Sequence, residues 1–314
     1  DFLLIIKVME VFLRDSVLMI TSSFDMTCDH LISKYKEVNF FRFNIDKFSD
    51  YSVGITGDGF EIRTPYRAVN SSSCRSIYYR KPSQEDLSGI FESQYHQFSH
   101  RESQAVVDGI VESFTGKCLS RPSIMKRAGN KVFQALLATK VGFSLPKLSI
   151  TNDADRVNAF CVEKSIVKPI SIGSISDRKH KEIVQTNIYD ESQDLSALKY
   201  TPAYFQKYVE KDYEVRVTFV GDKDFSVKIL SENKVDWRRS GNKLEYQKMD
   251  TPNGIYEKCI EYLKASDMEF GCFDFIVSNG QWHFLEMNVN GQWAWLEFEV
   301  GVEISDAIVE YLHE

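Results

Sequence analysis

The chain has 314 residues and a formal net charge of −7, from 38 basic and 45 acidic side chains with histidine taken as neutral. With 43% hydrophobic and 26% charged residues, the composition is that of a soluble globular protein and excludes the collagen-like, disordered and disulfide-scaffold classes. The acidic balance argues against a nucleic-acid partner, whose phosphates call for a basic excess. At roughly 100–200 residues per domain, the length suggests two domains or three small ones.

The six cysteines, Cys28, Cys74, Cys118, Cys161, Cys259 and Cys272, are scattered, and no CxxC clamp exists. They read as reduced thiols of a cytoplasmic protein rather than as disulfides. Residues 1–13 are apolar, but Lys7 and Glu10 interrupt them. A membrane span needs about 20 apolar residues, and no small-residue cleavage site follows as a signal peptide requires. The chain begins at Asp1 rather than Met. Residues 1–15 are therefore read as an extension without function, and no membrane partner is expected.

In chain order, Ser16 to Thr21 reads as an apolar strand, followed by a polar turn at Ser22-Ser23 and a helix through Tyr35. Asn39 to Asn44 is a second strand, and Tyr51 to Arg63 alternates about Thr56-Gly57-Asp58-Gly59 as a hairpin. Arg75 to Arg80 is a further strand, and Ser83 to Phe114 reads as a helix with a break near Phe98. This order fits a small α/β domain ending near Ser120. Arg121 to Glu163 reads as mostly helical, with a stop at Gly142 and Pro146. Strands are expected at Ser165–Lys168, Lys181–Asn187, Tyr204–Tyr208, Glu214–Val220 and Ser226–Ser231, then a helix at Gly254–Ala265. Gly271–Ser278 and Gln281–Leu285 flank Asn279-Gly280, the strongest short hairpin signal. Glu303 to Leu312 closes the chain as a helix.

Three segments place polar or charged residues where apolar ones would stabilise a strand better. In Ile166-Val167-Lys168-Pro169, a lysine ends an apolar strand and a small-residue loop follows through Gly173. Backbone N–H groups and a point charge together suit a polyphosphate, although an edge lysine reaching to solvent is the plainer reading of this segment alone. In the second segment, Tyr204 to Glu210 leads to Glu214-Val215-Arg216. Glu214 and Arg216 share a strand face, which suits a surface pair, a ribose, a phosphate or a metal-bound water equally. In the third, the hairpin places Asp274 and Glu286 on adjacent strands, with Asn288 two positions beyond Glu286. Three hard oxygen donors converging in this way suit Mg²⁺. Burying two carboxylates without a cation is costly.

These segments, in this order, resemble the ATP-grasp ligase superfamily. Ser22-Ser23-Phe24-Asp25, Phe41-Arg42-Phe43-Asn44-Ile45-Asp46, Tyr78-Tyr79-Arg80-Lys81-Pro82, Asn130-Lys131, Asp236-Trp237-Arg238 and Glu286-Met287-Asn288-Val289-Asn290-Gly291-Gln292-Trp293 narrow the likeness. They resemble the ATP-grasp maturases of ribosomal peptides, the graspetide synthetases, including the microviridin ligases and the grasp-with-spasm group. The resemblance runs from Ser16 to the C-terminus. It implies a mixed α/β (α+β) ATP-grasp fold with an N-terminal pre-ATP-grasp domain (16–120), a central subdomain (121–203) and a C-terminal grasp domain (204–314).

The resemblance also implies ATP and Mg²⁺ as cofactors. Lys131 and Lys168 match the two phosphate-contacting lysines. Gln206, Lys207 and Val209 match the hinge that meets adenine, and Glu210 or Glu214 would meet ribose. Arg216 matches a basic residue near the phosphates, and Asp274, Glu286 and Asn288 match the magnesium ligands. Asp236 and Arg238 carry the expected substrate contact, with the planar fork of Arg238 suited to a carboxylate or an oxyanion. Val289 departs from the family's usual proline, which relaxes φ there and leaves the ligands in place. The two tryptophans after this motif, Trp293 and Trp295, are read as pins that hold the loop to the core.

The activity so implied is phosphorylation of Asp or Glu side chains of a ribosomally made precursor peptide, leader plus core. Ser or Thr hydroxyls or Lys amines would then attack the acyl phosphate and close macrocyclic ω-ester or ω-amide links. A homodimer is also implied. Two rivals use the same nucleotide site. One is a ligase that adds an amino acid to a small molecule or a protein terminus, and the other is a non-catalytic nucleotide- or peptide-binding protein.

Overall fold

The protein is described from a computed structural model, which covers residues 15–171, 174–176, 181–184, 186–233 and 241–314. The first elements are β1 (Ser16–Thr21), α1 (Met26–Lys34), β2 (Phe40–Asn44), β3 (Ser52–Thr56), β4 (Gly59–Arg63), β5 (Ala68–Asn70), β6 (Cys74–Tyr79), α2 (Ser93–Ser113) and β7 (Lys117–Leu119). Then come α3 (Pro122–Ala128), α4 (Lys131–Val141), β8 (Leu148–Thr151), α5 (Ala154–Phe160), β9 (Ser165–Lys168), β10 (Ser174–Ser176), β11 (Lys181–Ile183), β12 (Asn187–Ile188) and β13 (Ala203–Lys207). The last are β14 (Tyr213–Val220), β15 (Lys223–Ser231), β16 (Leu244–Met249), α6 (Asn253–Ser266), β17 (Phe270–Ser278), β18 (Gln281–Asn288), α7 (Ala294–Val300) and α8 (Ile304–His313). No helix among the described residues is long and apolar enough to cross a membrane.

Two compact units divide the chain: residues 1–125 with 292–295 and 303–314, and residues 126–291 with 296–302. The first unit carries a parallel sheet of order β2-β1-β6-β7 and an antiparallel sheet of order β3-β4-β5. β1 is buried at all six positions, the near-continuous apolar run expected of a central parallel strand. Its core gathers Leu18, Ile20, Phe41, Phe43, Ile77, Val107 and Ile110.

The polar motifs of this unit interlock where the parallel strands end. The Ser22 hydroxyl donates to Lys81 O at 2.7 Å and accepts from Ser83 N at 2.8 Å. Ser23 N and its hydroxyl both donate to Asp46, at 2.7 and 2.5 Å, and Arg42 Nη2 donates to Ser22 O at 2.6 Å. Arg80, with no exposed side-chain surface, lies 3.6 Å from Asp25. Its Nη2 donates to Gln292 Oε1 at 2.5 Å. Asp25 also caps α1 by accepting from Thr27 N at 3.0 Å. Trp293 is fully buried and donates to Tyr78 OH at 3.2 Å, so this tryptophan does pin the chain after the final motif.

The second unit holds a four-stranded sheet of order β12-β9-β13-β8 and a five-stranded antiparallel sheet of order β16-β15-β14-β17-β18. Asn279 (φ 49) and Gly280 (φ 77) form the two-residue turn joining β17 and β18, with positive φ at both positions as a type I′ hairpin requires. One face of β14, β17 and β18 carries Val215, Val217, Phe273, Phe275, Phe284 and Met287, all buried. Phe143 stacks on Phe284 with centroids 5.2 Å apart, and Tyr262 of α6 meets Phe273 edge-on at 5.5 Å. Arg216, Asp274, Glu286 and Asn288 occupy the opposite face.

Several boundaries differ from the sequence reading. The helix expected over Ser83–Phe114 begins only at Ser93 and runs unbroken past Phe98 to Ser113; before it, Gly89 takes φ 80 and the chain turns instead of coiling. The stretch Arg121–Glu163 contains β8, whose Leu-Ser-Ile-Thr pairs with β13. Lys181–Asn187 is divided between β11 and β12. β5, β7 and β16 are strands that the sequence reading did not anticipate.

All six cysteines are free, and only Cys118 is partly exposed. Burial pushes the Cys28 and Cys74 thiols up to about 12, with the charge of Asp25 adding to the effect at Cys28. A thiol of that acidity is about one part in ten thousand thiolate at pH 8. Ellman titration of the native chain at pH 8 should therefore leave Cys28 and Cys74 unlabelled over minutes, whereas denaturant exposes all six. Rapid native labelling of either would contradict their packing.

Candidate active site

The site is built on three neighbouring strands. Arg216 of β14 pairs with Asp274 of β17, and Asp274 pairs with Glu286 of β18. From the turn to Phe275↔Phe284 the hairpin keeps one register, but the register shifts between Asp274 and Phe275. Leu285 is the extra residue. Without this bulge Leu285 would face Asp274 and Glu286 would point to the opposite face. With it, Asp274, Glu286 and Asn288 share a face, and Asn288 lies opposite Cys272.

The electrostatics follow from this row. Arg216 Nε and Nη2 donate to Asp274 Oδ1 and Oδ2, each at 2.8 Å, with side chains only 8% and 12% exposed. Burial alone would lower the pKa of Arg216, but the charge and hydrogen bonds of Asp274 outweigh it and push the guanidinium above its ordinary value. Asn288 Nδ2 donates to Asp274 Oδ2 at 2.8 Å. On the next strand, Glu286 lies 3.5 Å from Lys131 Nζ.

Lys131 is brought in by α4. Asn130 caps that helix, accepting from Val132 N and Phe133 N at 3.0 and 3.1 Å, and Gly142 ends it in the left-handed region. Lys131 is thus the first helical residue, where the helix terminus adds partial positive charge. Its Nζ also donates to Pro169 O at 3.0 Å. Lys168, at the end of β9, lies opposite Tyr204 on β13, and its ammonium sits 4.4 Å from the Tyr204 ring centroid. Burial, and secondarily the charge of Glu286, push the Tyr204 phenol up. Lys131, Lys168 and Tyr204 line one cleft together with Gln134 and Leu285.

The other candidates are placed as follows. Gln206 is 2% exposed, and its Oε1 has no hydrogen-bond partner among the described residues. Lys207, on the other face of β13, donates to Phe160 O at 2.5 Å and lies 3.4 Å from Glu163. Val209 is half-buried and Glu210 exposed. Glu214 is buried and ion-paired with Lys211, a partner that sequence reasoning missed although the i,i+3 spacing was there to see. Ile172, Gly173, Asp236 and Arg238 lie outside the described residues.

The donor set fits Mg²⁺. Two carboxylates and one amide stand on one face, and each carboxylate is already held by a cation, so bringing in a divalent ion exchanges partners rather than creating a buried charge. Because Arg216 and Asp274 are both buried, removing one partner leaves an uncompensated charge. Asp274→Asn should lower the unfolding free energy by about 3 kcal/mol, read from urea denaturation; a loss below about 0.5 kcal/mol, the scale of an exposed pair, would contradict this geometry.

Known proteins bear on this arrangement at two levels. Residues 16–124 match the family model of the MvdD pre-ATP grasp domain. No curated protein sequence matches the chain. Among solved structures, a RiPP-associated ATP-grasp ligase of Chryseobacterium gregarium, in complex with ADP and a leader and core peptide, superposes with a TM-score of 0.86. It is 24% identical over 95% of this chain and 96% of that one. The macrocyclase MdnC of Microcystis aeruginosa MRC, bound with precursor peptide MdnA, gives 0.85 at 25% identity over 95% and 99%. The ATP-grasp ligase PsnB, with a phosphomimetic variant of a minimal precursor, Mg and ADP, gives 0.77 at 16% identity over 95% and 99%. The chain accordingly carries an MvdD-type pre-ATP-grasp segment at residues 16–124 and has the fold of the RiPP-associated ATP-grasp ligases.

Proposed function

We propose that the protein is an ADP-forming carboxylate ligase that cross-links side chains of a ribosomally made precursor peptide. The observation that carries this reading is the row Arg216, Asp274 and Glu286 on three paired strands, with Lys131 Nζ 3.5 Å from Glu286 and Lys168 over the Tyr204 ring. Two cations beside two carboxylates and an amide are what a magnesium nucleotide needs: positive charge for the phosphates and hard oxygens for the metal. Solved neighbours bound to ADP, magnesium and precursor peptides support it.

In this reading Lys131 and Lys168 hold the phosphates, while the buried Oε1 of Gln206 offers an acceptor to the adenine amine. Asp274, Glu286 and Asn288 would hold Mg²⁺, which supplies charge neutralisation on the transferring phosphoryl group. Arg216, fixed by two hydrogen bonds to Asp274, keeps its positive charge throughout and orients that carboxylate. A substrate Asp or Glu oxygen attacks the γ-phosphorus and ADP leaves, giving an acyl phosphate. A hydroxyl or amine of the same peptide then attacks the acyl carbon and expels phosphate, with a proton lost from the nucleophile, so each ring closure removes one water. Arg238, placed by resemblance alone, is the expected partner of the substrate carboxylate. ATP use and six free thiols accord with a cytoplasmic site of action.

The test is to incubate the full chain with ATP, Mg²⁺ and the precursor peptide encoded beside it, and to follow peptide mass and ADP together. Stepwise loss of one water per bond, matched by ADP release, is the expected result. A gain of one amino-acid residue would instead favour a tailoring ligase, and nucleotide binding without turnover would leave only a binding protein.

A further inference from the structure

We infer that Gln134 is a positioning residue for the magnesium–nucleotide site, an inference that rests on the ligase reading above. β18 is an edge strand of the five-stranded sheet. Its pairing with β17 leaves the N–H and C=O of Met287 pointing outward, away from Phe273. No strand meets them. Instead the side-chain amide of Gln134 does: Met287 N donates to Gln134 Oε1 at 3.1 Å, and Gln134 Nε2 donates to Met287 O at 2.7 Å. The same Nε2 donates to Ala128 O at 2.8 Å, so both N–H groups and the oxygen of the amide are engaged in a place where only 4% of the residue is exposed.

Met287 is the residue between Glu286 and Asn288, and its side chain enters the core while theirs face the site. A clamp on both backbone groups of Met287 therefore sets the orientation of the carboxylate before it and the amide after it. Gln134 also stands one turn beyond Lys131 on α4, and Lys131 reaches Glu286. One helix thus delivers the cation and fixes the strand that bears its partner. Beyond the other end of that helix, Ser144 O accepts from Phe284 N at 2.8 Å, so the edge of β18 is gripped on both sides of the bulge. Methionine, of similar volume, would fill the same space but leave Met287 N–H, Met287 C=O and Ala128 C=O without this partner. What methionine lacks is the hold on the Met287 peptide.

The experiment compares the full-length wild type with Gln134→Met and Leu137→Ala. Leu137 lies on the same helix, is 8% exposed, and reports the cost of merely weakening that helix. Calorimetric titration with ADP in the presence of Mg²⁺ should show Gln134→Met weakened about tenfold or more, the range seen when residues that orient metal ligands are replaced. Leu137→Ala should stay within about twofold of wild type even where its thermal midpoint falls further. Wild-type affinity in Gln134→Met, or equal weakening in both variants, overturns the inference. If the wild type itself binds no Mg-ADP, the ligase reading fails first. Hydrogen exchange of the Met287 amide then decides the clamp separately: selective acceleration in Gln134→Met upholds it, and an unchanged rate refutes it.

Discussion

Leu285 is one residue more than the β17–β18 hairpin needs, and every pairing beyond it is displaced by that one position. The displacement turns Glu286 and Asn288 to the face that holds Asp274, and leaves Phe284 and Met287 on the core side of the bulge. A bulge disturbs the ladder locally, so something else must hold the strand. Here the aromatic packing of Phe284 against Phe143 and the backbone contacts from Gln134 and Ser144 do so from the edge. The polar row and the apolar core are consequences of the same register.

Charge alternates along this part of the molecule: Arg216 on Asp274, then Lys131 on Glu286. Carboxylates placed this far from solvent need partners, and Arg216 and Lys131 supply them in advance of any ligand. That is preorganisation in the electrostatic sense, because the dipoles and charges are aimed before chemistry begins. The whole-chain charge is −7, whereas two lysines, Lys131 and Lys168, line one small cavity. A polyanionic nucleotide suits the second and would be repelled by the first.

Much of the second unit was legible in the sequence. The Asn279-Gly280 turn, the Lys168 strand end and the Asp274, Glu286 and Asn288 candidates all rest on local rules of turn geometry and period-two alternation. The bulge was also written there: Trp282 and Phe284 keep the alternation, but the next buried residue is Met287, three positions on. An odd step between core residues of one strand is the signal that was missed. Lys211 could have been read from its i,i+3 spacing to Glu214, whereas Gln134 and the ring of Tyr204 beneath Lys168 were not legible, because each acts through a partner far away in sequence or through backbone groups without a sequence code. The helix expected from Ser83 was too long because its polar residues satisfy helix and turn equally, and neither cap is marked by a side-chain bond. In the first unit the motifs at Ser22, Arg42, Asp46 and Arg80 carried the family resemblance without a physical reason for their residue types. The structure shows them bonded to each other at the ends of parallel strands.

The central claim is that a peptide carboxylate is activated by phosphoryl transfer over this sheet. It is tested most directly by supplying precursor peptide whose Asp and Glu carboxylates carry ¹⁸O and analysing the phosphate released with each bond. The account requires one ¹⁸O in phosphate for every link closed, because the carboxylate oxygen that attacks the γ-phosphorus leaves with it. Phosphate free of ¹⁸O, with the oxygen lost from each linked carboxylate recovered in water or in AMP, would contradict it.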